Sequence, residues 1–202
     1  MFVFFFEEKI IIIKYFQKKK KGVTVFDLKE ILMKDTNSDV KARIELENLA
    51  ASKLKYILAE GGEQLKLSTE DEYYLGDKYK MLVIEGMSSS QLVDIIMTNP
   101  TVHISPSPRD THFSANYSFK PLSNLVFTRD QQVTTRKGIV MARLSSIQRR
   151  DEVELMKFCF HKLGLKVVGE IPDEGRLEGG DFFPAGIVFI FLFFHLFFFF
   201  HL

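Results

Sequence analysis

Two periods of hydrophobic residues alternate along this chain, and they divide it into regions. Val23–Phe26 alternates apolar and polar, which predicts a short strand, and Leu28, Ile31 and Leu32 follow at helical spacing. Asp35–Asp39 is a polar loop. Over Val40–Ala59, Ile44, Leu46, Leu49, Ala50, Leu54, Ile57 and Leu58 recur near the helical period with Glu and Lys opposite. That predicts one amphipathic helix, ended by Gly61-Gly62. Leu75–Glu85 and Ser90–Met97 repeat the helical pattern, with Ser88–Ser90 supplying an N-cap. The stretch 40–100 is therefore expected to be an all-helical block, with a packing or lid role.

Beyond it the pattern changes. Pro100, Pro106, Pro108 and Pro121 mark a turn-rich linker. Leu122–Asp130 predicts a strand whose apolar run ends in Thr128-Arg129-Asp130. Gln132–Thr135 and Gly138–Arg143 predict two strands around an Arg136-Lys137-Gly138 turn. Ser145–Leu163 predicts a helix with Ile147, Val153, Met156 and Phe160 on one face and Gly164 just past its end. Leu165–Ile171 predicts a buried-type strand, and Asp173-Glu174-Gly175 turns into a further strand, Leu177–Phe183. The order is a ββαβ unit followed by the first strand of another.

Composition separates the ends from this body. Of 21 Phe, five lie in Met1–Phe16 and eight in Phe189–Phe200. Residues 1–21 are Phe-, Ile- and Lys-rich, and the apolar run is too short and too charged to span a bilayer. Translated non-coding sequence, a membrane-associated segment and a core strand all remain open for them. Residues 187–202 continue an apolar run from Ala185, long enough to be weighed as a membrane tail but without flanking Lys or Arg. Read-through from A/T-rich sequence is the competing origin. His195 and His201 sit in this run and carry no functional weight.

Lys and Arg number 27 against 26 Asp and Glu, a net charge of +1, so no nucleic-acid surface is indicated. The single Cys159 excludes an internal disulfide and fits a reducing, cytoplasmic compartment; membrane attachment through 185–202 is the alternative. No zinc motif is present and no metal or cofactor is expected. His103 and His112 lack partners at ligand spacing. His161 lies two positions after Cys159 on the predicted helix, which puts the two on different faces and excludes a nucleophile–base pair.

Two stretches remain, Asn124-Leu-Val-Phe-Thr-Arg-Asp130 and Glu178-Gly-Gly-Asp181, with Arg149 between them before an acidic helix start. Together they resemble the arginine deiminases, guanidino-modifying enzymes of the pentein fold, a propeller of ββαβ units. The resemblance covers roughly Gly22–Gly186. It implies a partial α/β propeller in which 22–39 belong to a first unit, 40–100 are a helical insertion, and 101–186 hold the second unit and the start of the next. Amidinotransferases and dimethylarginine hydrolases share parts of the pattern.

The resemblance implies a site as well. A guanidinium is planar, permanently charged and rich in paired N–H donors, so carboxylates that grip it fix its orientation. Asp130 and Glu178 would be those carboxylates, Phe127 would pack beside L-arginine and Asn124 would bind near its amino-acid end. Arg149 would take the substrate carboxylate, and Asp181 would touch substrate or orient a neighbour. Two converging acids should raise one pKa until a cation arrives. The family reaction, arginine to citrulline and ammonia, uses a cysteine nucleophile and a histidine acid–base that follow the Glu-Gly-Gly-Asp strand. Cys159 and the five histidines do not match those positions. The chain is thus expected to be a fragment that binds without turnover. A non-catalytic, tail-anchored guanidino-binding protein is the alternative, and self-association into a homo-oligomer stays open.

Overall fold

The computed structural model describes residues 4–6, 9–13, 23–59, 69–106, 113–185, 188–193 and 196–201. Gly61-Gly62 as a helix stop, Pro108, His112 and His195 fall outside them. The chain is a mixed α/β protein of two compact units, one built from 1–31 with 123–202 and the other from 32–122.

The first unit opens with β1 (Phe4–Phe6) antiparallel to β2 (Lys9–Ile13), which runs parallel to β3 (Val23–Phe26). Helix α1 (Leu28–Met33) begins after Asp27, whose Oδ1 accepts from Lys29 N at 2.8 Å.

In the second unit, α2 (Val40–Lys53) starts on an Asp39 cap and buries Ala42, Leu46, Leu49 and Ala50. It stops six residues short of the expected Ala59, because Lys55–Leu58 forms strand β4 instead. Leu54 turns the backbone extended, and Tyr56 and Ile57 then pair in parallel with Val102 and His103 of β5 (Pro100–Pro106). Aromatic and β-branched residues suit a ladder, and tertiary pairing overrides the helical spacing. The stretch 40–100 is therefore not wholly helical. The turn-rich linker is corrected too: β5 pairs antiparallel with β6 (Phe113–Phe119). Pro100 and Pro106 stand at the ends of β5, where a missing N–H disturbs the ladder least.

Helices α3 (Thr69–Leu75), α4 (Asp77–Glu85) and α5 (Ser89–Thr98) complete this unit. Ser88 caps α5 by a capping box, with Gln91 N to Ser88 Oγ at 3.3 Å and Ser88 N to Gln91 Oε1 at 2.8 Å. Leu92, Val93 and Ile96 of α5 and Ile84 of α4 are buried with the α2 face.

The first unit resumes at Ser123. The expected strand Leu122–Asp130 is absent. Phe127 N donates to Asn124 O at 3.0 Å and Asp130 N to Phe127 O at 3.2 Å, two successive turns. Val126 and Phe127 are exposed, so the apolar run has no buried face to hold it extended. Then β7 (Gln132–Thr135) and β8 (Gly138–Met141) form a hairpin, α6 (Arg150–Lys162) follows a short 3₁₀ turn at Ile147–Arg149, and β9 (Val167–Glu170) lies parallel to β8. This is a ββαβ order. Helix α6 buries Leu155, Met156, Cys159 and Phe160, whereas Ile147, placed on that face by spacing, is exposed because it precedes the helix. Gly164 ends α6 at φ 69°, a conformation that suits glycine.

Leu177–Phe183 is likewise not one strand. Leu177 bridges Arg143, Gly179–Asp181 is a 3₁₀ turn, and β10 (Phe182–Ala185) begins only afterwards. Val133, Leu177 and Phe182 form a small core with Val140 and Ile171 against it. The tail continues as β11 (Val188–Phe193) and β12 (Leu196–His201) in antiparallel pairs. Among the described residues no helix is long and apolar enough to cross a membrane.

Candidate functional site

The two polar stretches singled out by sequence meet through their backbones. Gly179 N donates to Asp130 O at 3.0 Å. Arg129 reinforces the junction, its Nε reaching Gly179 O at 3.0 Å and its Nη2 reaching Phe182 O at 2.6 Å. The approach is so close that a Cβ on Gly179 would lie 1.9 Å from Arg129 O and 2.3 Å from Gln132 O. Glycine is needed here for its missing side chain rather than for an unusual φ. At Gly180 a Cβ would meet Asp130 Oδ1 at 3.7 Å, an ordinary contact, so space alone does not require glycine there.

With Arg129 engaged on backbone carbonyls, Asp130 turns to Arg149. Its Oδ2 accepts from Arg149 Nη2 at 3.1 Å, with both side chains largely shielded. Arg149 sits at the end of the 3₁₀ turn that leads into α6, and Oε2 of Glu152, in the first turn of that helix, accepts from Nε at 3.1 Å and lies 3.1 Å from Nη2. Gln131 Nε2 is a second donor to the same oxygen at 3.0 Å. Glu152 is only 1% exposed, a burial a carboxylate tolerates when it is paired.

Glu178 and Asp181 complete the cluster. Glu178 N donates to Asp181 Oδ2 at 3.2 Å, so Asp181 orients the backbone that carries Glu178. Burial raises the Glu178 pKa above the ordinary glutamate value; Asp130 raises it further, Arg149 partly opposes this, and Asp181 and Glu152 add to the rise. For Arg149, burial works against the charge, but hydrogen bonds and attraction from Glu152 and Asp130 outweigh it and hold the guanidinium more firmly protonated. The cluster is thus an anionic patch already holding one guanidinium.

Of the residues expected at the site, Asp130 and Arg149 are in direct contact, and Glu178 lies within electrostatic reach of both. Asn124 and Phe127 sit on the turns leading to Asp130, with Phe127 47% exposed. Sequence reasoning passed over Glu152 and Gln131. The available signal was the three-residue spacing from Arg149 to Glu152 across a helix start.

Cys159 is fully buried in α6, and burial pushes its thiol up to about 12. His103 pairs with Ser118 at 2.8 Å in the other unit, and His161 is exposed. No group of three or more His, Cys, Asp or Glu suited to a metal ion occurs among the described residues. A cavity of about 800 Å³ in the second unit is lined mainly by aromatic and aliphatic side chains, among them Tyr56, Tyr79, Tyr117, Phe119, Val102 and Ile104. It lacks the converging charges of the Asp130 cluster, which therefore is the better candidate for chemistry.

A family profile described as arginine deiminase matches residues 15–190. Among curated proteins, the arginine deiminase of Halobacterium salinarum (strain ATCC 29341 / DSM 671 / R1) is similar, at 29% identity over 33% of this chain and 19% of that protein. The chain thus matches about a fifth of the length of that relative.

Proposed function

The chain belongs to the arginine deiminase family, and we propose that its first unit carries half of an L-arginine pocket. Asp130 and Glu178 grip the ligand guanidinium, Phe127 packs along its stem, Asn124 bonds near its amino-acid end and Arg149 takes its carboxylate. Asp181 holds Glu178 in position. One observation carries this reading: Asp130 is already bonded to a guanidinium, that of Arg149, beside a second carboxylate whose proton affinity is raised. The Asp130 carboxylate that accepts from Arg149 suits an incoming guanidinium in charge and donor pattern, with Glu178 as its second acceptor.

In the full reaction a cysteine thiolate would attack the guanidinium carbon, ammonia would leave and water would release citrulline, with a histidine moving the protons. Cys159 is unsuited to that step. It is buried and its thiol resists ionisation, while a nucleophilic cysteine needs an accessible thiolate. The proposal is accordingly a cytoplasmic binding half-site of a deiminase, with the ββαβ order as one unit of a pentein propeller, that does not turn arginine over by itself.

Titration calorimetry with L-arginine and a colorimetric citrulline assay on the purified chain test both halves. Binding without citrulline is expected. Failure to bind L-arginine overturns the pocket, and citrulline formation overturns the claim that this chain lacks turnover.

A further inference from the structure

We infer that Glu152, supported by Gln131, is a positioning residue that keeps Arg149 aimed at the ligand carboxylate once Asp130 is handed over to the ligand guanidinium. The inference rests on the arginine-pocket reading and extends it to residues outside the expected site.

Arg149 divides its donors between two carboxylates: Nε donates to Glu152 Oε2 and Nη2 to Asp130 Oδ2, while Nη2 also lies 3.1 Å from Glu152 Oε2 as an ion pair. Extended L-arginine carries its guanidinium and its carboxylate several bonds apart. Arg149 therefore cannot stay on Asp130 while the ligand guanidinium binds there. When the ligand takes Asp130, Arg149 loses one contact of Nη2. The hydrogen bond from Nε to Glu152 remains, and Nη2 is released for the ligand carboxylate.

Glu152 has no other evident task. It is 1% exposed, so neither solvent nor ligand reaches it readily, and its Oε2 accepts from both Arg149 Nε and Gln131 Nε2, with Arg149 Nη2 3.1 Å away. Gln131 is fully buried, and its Oε1 finds no partner. The amide is held donor-first on Glu152 although its own carbonyl goes unsatisfied, and such an unsatisfied group is costly. That orientation matches Glu152 serving as the acceptor for both Gln131 and Arg149. The anchor sits on the first turn of α6, where a negative charge is also favoured by the helix N-terminus.

The test compares two ligands on the full chain by calorimetry: L-arginine, and methylguanidine, which has no carboxylate. Glu152→Gln should weaken L-arginine about tenfold and leave methylguanidine within about twofold. Glu152→Asp should restore part of the loss. Equal weakening of both ligands, or of neither, overturns the inference, because a merely structural carboxylate would not distinguish them. Should Glu152→Gln fail to fold, Gln131→Met carries the test, with a smaller loss confined to L-arginine expected and an indiscriminate or absent loss overturning it. If the unaltered chain binds methylguanidine but not L-arginine, Arg149 is not recognising a carboxylate and the inference falls while a guanidinium site stands. If it binds neither, the pocket reading fails and the inference falls with it.

Discussion

Arg149 Nη2 lies 3.1 Å from Asp130 Oδ2 and 3.1 Å from Glu152 Oε2, so one guanidinium nitrogen sits between a half-buried and a fully buried carboxylate of the same cluster. In the proposed pocket Glu152 is the anchor, and Asp130 is the arm that a ligand claims.

Replacing Asp130 should therefore separate binding from stability. Asp130→Asn leaves Arg149 on Glu152, so unfolding free energy should change by about 1 kcal/mol. Affinity for L-arginine should fall roughly 10- to 100-fold, the loss expected for a charged hydrogen bond to a ligand cation. Calorimetry and urea unfolding on the same preparation check both. Parallel collapse of fold and binding would show that Asp130 is a structural residue.

The raised pKa of Glu178 gives the site a pH signature. An acid whose folded pKa exceeds its unfolded value favours the protonated form in the fold. Its ionisation therefore costs stability as pH rises from the ordinary glutamate value through the raised one, with the full cost present above that value. A bound cation favours the ionised form, so L-arginine should release a proton in this window and bind more tightly as pH rises through it. Glu178→Gln should flatten the slope of affinity against pH. A slope that persists in the variant assigns the titration elsewhere.

At Gly179 the prediction concerns the fold. A methyl group would have to displace two backbone carbonyls, which have no rotamer to escape into. Gly179→Ala should cost about 3 kcal/mol or more, seen as a lower urea midpoint. A change under about 1 kcal/mol would mean that the two stretches are not joined as described.

Cys159 should behave as an inert core residue. With its thiol pushed up to about 12 by burial, it should not react with Ellman's reagent in the native chain at pH near 8. One equivalent should react after denaturation, since Cys159 is the single cysteine. Rapid native labelling would return it to consideration as a nucleophile.

Much of this could be read from local sequence. The hairpin turn at Arg136-Lys137-Gly138 and the spacing of Met156 and Phe160 fix β7, β8 and α6 through near neighbours alone. What escaped depends on distant partners. Ile57 and Leu58 have helical spacing, yet a parallel strand some 46 residues on, at His103 and Ile104, makes them β. Leu125-Val126-Phe127 has strand propensity but lies in turns. Asp130 and Glu178 stood out because charge after an apolar run is conspicuous. Glu152 did not, since an acidic residue at a helix start is ordinarily solvated, and only the folded chain reveals that it is buried.

The contact at Gly179 also bears on how such a site can diverge. Carbonyls from Arg129 and Gln132 leave no space at that position for a side chain, so any substitution there meets a steric wall before it can alter chemistry. Asp130, Arg149 and Glu178 are proposed to act through their side chains, whereas the junction is a contact of backbones. A lineage carrying this junction is free to change what it binds and whether it reacts, but it must inherit the way the two stretches meet unaltered.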